Sequence, residues 1–356
     1  MKTVHLVTSL DFGGLERRME ILSLYPSAQN EIIFCALGGG GATYEKMISR
    51  GSKVHLLNCD SKIFRLKTFT QLRSFLREQK PNVLHTHGAE ANFYGHLASI
   101  GLGIKIRVAE EIGIPNYGHL SRFVFTQILK IPHAMIAMSP VVKDFLASQN
   151  VVKKEKIHLV YNPVLLSQYI KTKRDDNKIK FIFIGRLEEI KNPLGLLRAF
   201  DLLLKEYKNI ELIFVGDGSL RKQMEAYIES QSIQGFVNCI GFSADPLAIA
   251  RECDVVVQPS HSEGFSLALV EAMSCGLPAI VTPVGSAKVL IKNDTNGWVV
   301  DSSTDEAILS GLRMAVEAKD HLFEMGKDAA DCVNQNHNPK LYAGKLDDFY
   351  KSLEML

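Results

Sequence analysis

The chain has 356 residues, 46% of them hydrophobic and 22% charged, with a formal net charge of +2. That length exceeds one hydrophobic core and predicts two domains, while the near-balanced charge excludes the basic surface of a nucleic-acid binder. Six scattered cysteines without a Cys-x-x-Cys pair exclude a disulfide frame and predict reduced thiols in a cytoplasmic protein.

The opening, MKTVHLVTSL, carries one lysine and then a short alternating run, without the apolar core and cleavage site of a signal peptide. No stretch reaches the length of an uncharged membrane-spanning helix, so any membrane contact is expected to be peripheral. Strands are predicted over 3–9, 31–37, 53–57, 83–87, 105–109, 134–138 and 158–161, and helices over 15–24, 43–49, 67–79, 91–100 and 140–148. The polar run 171–180, KTKRDDNKIK, reads as a linker. The rhythm then restarts with KFIFIG, IELIFVG, FVNCIGF, DVVVQPS and PAIVTPV, and the tail over 339–356 is helical in pattern. Short Val- and Ile-rich strands alternating with helices predict an α/β protein with parallel sheets covered on both faces.

The stretch 262–283, SEGFSLALVEAMSCGLPAIVTP, sets Glu263 and Glu271 eight positions apart around a helix start. Ser266 is suited to cap that helix, Gly276 to end it and Pro278 to block its continuation. Glu263 then falls in the preceding loop and Glu271 about a turn and a half inside the helix. Backbone N–H groups at a helix start favour an anion such as phosphate. Two acceptors beside an anion site suit a ligand with phosphates and hydroxyls, such as a nucleotide sugar, although either glutamate alone reads as an ordinary exposed residue.

Upstream, the strand ending at Gly185 leads through Arg186 and Lys191 to Asn192, a helix cap, and Pro193, a first helical residue. Both cations are thereby predicted at the carboxyl edge of a parallel sheet, where open α/β sheets bind ligands. A planar fork and a compact charge together suit a diphosphate; the alternative is two solvated surface charges. Gly13-Gly14 would bring backbone close to phosphates or an acceptor, or simply make a turn, and is not the G-x-G-x-x-G dinucleotide fingerprint. In Val215-Gly216-Asp217-Gly218, Gly216 is the member expected to approach the ligand and Asp217 a cap or turn residue. The four glycines 38–41 read as a flexible loop. His85 and His87 end a strand, where histidines are usually structural, although His87 has the option of facing a cleft.

The run 262–283 resembles the E-x7-E signature of retaining glycosyltransferases of family 4. GRLEEIKNPLGLLRAF (185–200), VGDGSLRKQME (215–225) and SLDFGGLERRMEIL (9–22) resemble the same family, in its usual order and over nearly the whole chain. The resemblance implies the GT-B fold, two Rossmann-like domains facing across a cleft that holds the active site. It implies an acceptor-binding domain over 1–170, a donor-binding domain over 171–338 and a helix over 339–356 crossing back to the first domain. It also implies transfer from a nucleotide sugar, UDP by family frequency, to a glycan or lipid-linked acceptor with retention of configuration. Arg186, Lys191 and Glu263 then form the catalytic set, the two cations meeting the diphosphate. Glu271 accepts from the ribose. Glu263 lies against the donor sugar on a loop whose Gly264, Phe265, Ser266 and Leu267 offer N–H groups. Gly13, Gly14 and Gly216 approach the donor, and Gly241-Phe242 lies near the base.

The chain departs from the family in RVAEEIGIP (107–115), where many members carry a histidine near the donor sugar. The matching position is Glu111, give or take one. Glu110 and Glu111 are therefore contacts to sugar or acceptor, or a solvated acidic pair; His87 and His119 are other options.

No Asp-x-Asp ends a strand and no His/Cys cluster has metal spacing, so no metal or other cofactor is expected. Two stretches, KIFRLKTFTQLRSFLREQK (62–80) and LSRFVFTQILKI (120–131), mix cations with apolar residues. Each reads either as a helix on anionic lipid, at the cytoplasmic face of the inner membrane, or as a core helix with a basic solvent face. The rivals to a transferase are a nucleotide-sugar 2-epimerase on the same fold and a non-catalytic nucleotide-sugar-binding module.

Overall fold

The computed structural model describes the chain apart from residues 12, 27–29, 112–118, 150–151, 167–177 and 356, and the side chains of 119–121. Most of the expected linker, and the side chain of His119, lie outside the described residues.

The chain divides into two units, Met1–Val164 with His337–Leu356, and Leu165–Asn336. The first unit alternates β1 (Lys2–Val7), α1 (Gly14–Leu24), β2 (Glu31–Ala36), α2 (Ala42–Ser49), β3 (Lys53–Leu56), α3 (Leu66–Gln79), β4 (Val83–His87), α4 (Ala89–Ser99), β5 (Ile106–Glu111), α5 (His119–Ile128), β6 (Ala134–Ala137), α6 (Pro140–Ser148) and β7 (Ile157–Leu159). The second contains β8 (Ile179–Ile184), α7 (Pro193–Leu203), β9 (Ile210–Val215), α8 (Arg221–Ser230), β10 (Val237–Gly241), α9 (Pro246–Ala250), β11 (Val255–Gln258), α10 (Leu267–Ser274), β12 (Ala279–Val281), α11 (Ala287–Leu290), β13 (Gly297–Val299), α12 (Asp305–Glu317) and α13 (Leu322–His337). A last helix, α14 (Pro339–Glu354), belongs to the first unit.

In the first unit the strand order is β3-β2-β1-β4-β5-β6-β7, with parallel pairing throughout. Alternate strand residues serve opposite faces. Val4, Leu6 and Leu84 pack with Leu72 and Phe75 of α3 and Tyr94 of α4. Val7, Phe34 and Val108 pack on the other face with Met19 of α1 and Tyr342, Leu346 and Tyr350 of α14. In the second unit the order is β10-β9-β8-β11-β12-β13, again parallel. Its core is aromatic, with Phe181, Phe183, Phe200 and Phe214 wholly buried.

The short strand β13 has no counterpart among the sequence expectations, because three residues after an Asn-Asp-Thr-Asn-Gly turn carry no readable period. Its Gly297 sits at φ 152°, and a Cβ there would overlap the Ala279 carbonyl of β12. The glycine run 38–41, expected to be a flexible loop, is tied down instead: Gly38 N–H donates to the Thr8 carbonyl at 2.8 Å and Gly41 N–H to that of Leu10 at 3.0 Å.

Each sheet has a point where chain order reverses. In the second unit β8 is flanked by β9 on one side and β11 on the other. Loops leaving β8 and β11 must therefore diverge, opening a crevice at the carboxyl ends of these two strands.

Candidate functional site

The crevice of the second unit is built from the two expected loops. After β8, Gly185 and the exposed Arg186 lead to a tight turn at Glu189–Lys191. Asn192 then takes a left-handed conformation (φ 53°), and its side chain accepts the Gly195 N–H at 3.2 Å, capping α7, with Pro193 in the first turn. After β11, residues 259–265 run out to Ser266, whose hydroxyl accepts the Leu269 N–H at 3.4 Å and caps α10. Gly276, at φ 83°, follows that helix.

Lys191 Nζ forms an ion pair with the Glu263 carboxylate, which Ser260 Oγ also approaches at 3.4 Å. Arg186 and Lys191 are thus on one loop, with Glu263 on the facing one. Glu271 lies half-buried in α10, so the two glutamates occupy the loop and helix positions read from the sequence. Glu263 and Ser266 border a shallow depression with Gln258, Thr282, Val284 and Ser286. Gln258, only 3% exposed, was not singled out by sequence reasoning because one Gln at the end of an apolar strand carries no signal.

The loop after β9 supports this edge. Gly216 (φ 143°) lies so close to Gly185 that a Cβ would overlap the Gly185 carbonyl, and a Cβ at Gly218 would crowd the Leu187 carbonyl. Glycine at 216 is therefore required by loop-on-loop packing. Asp217 is a turn residue: it accepts the Gly218 N–H at 2.8 Å and pairs with Arg221 at 3.1 Å. Glu188 accepts from the Ser219 hydroxyl and N–H, which with nearby Arg186 hold its carboxyl below the usual range. Gly241 ends β10 at φ 86°, and Phe242 stands 67% exposed beyond it.

The carboxyl edge of the first unit has a different character. Gly13 caps α1, with the Glu16 carboxylate over the space a Cβ would take. Ser9 Oγ donates to that carboxylate at 3.2 Å. Glu110 and Glu111, which had a solvated pair among their readings, are both buried, because β5 continues through them into the sheet. Glu110 is ion-paired with the buried Arg18 of α1. Burial alone would raise its carboxyl, but Arg18, His87 and His85 outweigh that and hold it well below the usual range. Glu111 accepts from Asn92 Nδ2 at 3.1 Å.

His87 is likewise inside the unit. Arg18 Nη2 donates to its Nδ1 at 2.9 Å, and its Nε2 lies 2.9 Å from His5 Nδ1. Burial pushes its imidazolium pKa down to about 3. His85 Nδ1 meets the Tyr350 hydroxyl of α14 at 2.7 Å. Arg18 and His5 were not singled out from sequence, since their partners lie some seventy or more residues away in the chain.

Among the described residues, His5, His85 and His87 form the one group of three side chains spaced to share a metal ion. Two of the three already hydrogen-bond each other, and the Arg18 guanidinium beside them disfavours a further cation. All six cysteines are free thiols, and among the described residues no helix is long and apolar enough to cross a membrane.

Compared with known proteins, residues 12–168 match the family model described as Glycosyltransferase Family 4 and residues 168–331 that described as Glycosyl transferases group 1. The UDP-Gal:alpha-D-GlcNAc-diphosphoundecaprenol alpha-1,3-galactosyltransferase of Escherichia coli is 24% identical, aligned over 98% of this chain and 96% of its own. The GalNAc-alpha-(1->4)-GalNAc-alpha-(1->3)-diNAcBac-PP-undecaprenol alpha-1,4-N-acetyl-D-galactosaminyltransferase of Campylobacter jejuni is 25% identical over 92% of each chain. Among solved structures, Anabaena HepE in complex with UDP has the same fold, with a TM-score of 0.85 at 20% identity over 99% of this chain and 100% of that one.

Proposed function

This chain belongs to the glycosyltransferases of group 1 and family 4 type, on the α/β GT-B fold, and we propose that it moves a sugar from a UDP-sugar to a lipid-linked or glycan acceptor with retention of configuration. The observation that carries the donor reading is the meeting of Lys191 and Glu263 over the crevice between β8 and β11. In glycosyl transfer the nucleoside diphosphate leaves with growing negative charge, and preorganised cations lower that barrier. Lys191 and Arg186 take the diphosphate, and Glu263, released from Lys191, turns to the donor sugar. Glu271 accepts from the ribose, the 264–267 loop offers N–H groups, and Gly241-Phe242 borders the base. Relatives that act on undecaprenol-linked sugars support a lipid-linked acceptor, and HepE with UDP bound supports the nucleotide.

The first unit is assigned the acceptor. His87, Glu110 and Glu111 keep its sheet edge rigid rather than touching substrate, because all three are buried. Exposed Phe64 and Leu66 beside exposed Lys62 and Lys67, and exposed Phe123 on α5, suit a peripheral contact with anionic lipid at the cytoplasmic membrane face. No metal is required in this scheme, because two cations meet the diphosphate.

A thermal-shift screen against nucleotide sugars tests the donor reading, since a ligand that binds only the native state raises its melting temperature. UDP and one or more UDP-sugars are expected to stabilise the protein, and no shift with any of them overturns the reading. Product analysis with and without acceptor then separates transfer from epimerisation.

A further inference from the structure

We infer that Asn192 and Ser303 form a bracket that positions Lys191 for the donor diphosphate, an inference that rests on the donor reading above. Lys191 is held through both its chain neighbours. On one side, the His261 N–H, from the loop that carries Glu263, donates to the Ile190 carbonyl at 2.9 Å. On the other, Asn192 Nδ2 donates to the Ser303 carbonyl at 2.8 Å. Ser303 closes the circuit, because its Oγ meets His261 Nδ1 at 2.8 Å. Three loops, after β8, after β11 and before α12, are thereby joined around one lysine.

Capping α7 does not account for this arrangement. A cap needs only an acceptor, which Asn192 Oδ1 supplies to Gly195. The Nδ2 bond to Ser303 is additional, and it is made by a residue 6% exposed and in a left-handed conformation. Asp caps helices as well as Asn but has no N–H to give, and Ser or Thr has a single oxygen for both jobs, so among the good caps Asn alone offers a separate acceptor and donor atom. Ser303 is itself firmly placed. It precedes Thr304, whose hydroxyl caps α12, and Arg198 of α7 pairs with Asp305 of α12 through two hydrogen bonds. The bracket therefore ties the lysine to the helix pair beneath it. A cation on a flexible stem stabilises a leaving group only where its backbone origin is held, since a displacement of about 1 Å can cost about a hundredfold.

The test compares UDP with uridine by calorimetry, supplemented by ligand-observed NMR for weak binding. Four proteins are used: the parent chain, Asn192→Asp, Asn192→Gly and Lys191→Ala. Asn192→Asp keeps the cap and loses the donor. Asn192→Gly keeps the left-handed backbone and brings no new charge that could repel a diphosphate. Both are expected to weaken UDP about tenfold while leaving uridine within about twofold, as Lys191→Ala does. UDP and uridine falling together means a merely structural role and overturns the bracket. Parent-like UDP affinity in both Asn192 variants, with Lys191→Ala impaired, also overturns it and leaves the lysine assignment standing. Parent-like UDP affinity in Lys191→Ala overturns the lysine assignment and the bracket together.

Discussion

Lys191 and Glu263, 72 positions apart in the chain, meet in an ion pair whose side chains keep only 17% and 13% of their exposure. Each neutralises the other in a partly desolvated site, so neither carries an uncompensated charge before substrate arrives. In the proposed scheme a diphosphate that takes the lysine frees the glutamate for the sugar, which would make binding and the arming of the site one exchange of partners.

Lys191→Ala and Arg186→Ala are each expected to slow transfer about a hundredfold or more while leaving the fold intact, because each removes a preorganised charge at the leaving group. Turnover with a UDP-sugar, beside circular dichroism, checks this. Near-normal rates in both variants would end the assignment.

The two glutamates are expected to fail differently. Glu271→Gln is expected to weaken free UDP, because its proposed partner is the ribose. Glu263→Gln is expected to slow transfer with far less effect on UDP, because its proposed partner is the sugar. Calorimetry and turnover on both variants separate them; equal losses of UDP affinity with unchanged rates at saturation contradict this division.

Transfer is expected to survive EDTA. In the proposed scheme two cations serve the diphosphate, and the one spaced triad among the described residues, His5, His85 and His87, is occupied by its own hydrogen bonds. Activity lost on chelation and restored by Mg²⁺ or Mn²⁺ would show that a divalent ion shares the work.

Acid is expected to destabilise the first unit from a definite side. Burial holds His87 at about 3 and His96 at about 3 against an ordinary value of 6.5, and lowers His5 and His85 as well. Below about pH 6.5 the unfolded chain therefore takes up protons that the native unit refuses. The stability from keeping these rings neutral is complete above that pH and is lost as pH falls towards 3, by up to about 1.4 kcal/mol per unit for each ring. Glu110, held low in the fold, adds loss in the same direction as pH falls below the ordinary carboxylate value of 4.5. Urea midpoints measured from pH 7 to 4 should fall, and His87→Gln should make the decline shallower by about one proton. A flat profile contradicts the buried neutral rings.

Gly216→Ala is expected to destabilise the second unit by about 2–3 kcal/mol, since it adds positive-φ strain to overlap with the Gly185 carbonyl. The loop carrying Arg186 must shift, so UDP affinity should fall with the melting temperature. A parent-like melting temperature would show that the two loops can part without cost.

The strand and helix rhythm was legible from β1 to β12 because apolar period and cap residues are local: Ser266, Gly276, Asn192 and Pro193 all stand where their chemistry demands. The burial of Glu110 was not legible. Two adjacent glutamates at a strand end read as sugar or acceptor contacts or as a solvated pair until Arg18, far back in the chain, is brought against Glu110. Gly216 was legible as a glycine of close approach to a ligand, whereas its close approach to Gly185 was not, because Gly185 belongs to another strand's loop.

Sequence alone determined the α/β class, the loop that carries Arg186 and Lys191, and the loop and helix positions of Glu263 and Glu271, since each depends on residues within a few turns of one another. Tertiary structure decided which groups face which. Parallel strands β8 and β11 are adjacent only through a crossover of some seventy residues, and that adjacency sets Lys191 against Glu263, while the packing of α12 beside α7 sets Ser303 beneath Asn192. Chain-local patterns carry propensity and periodicity, whereas a pairing across such a crossover exists only once the sheet has ordered its strands.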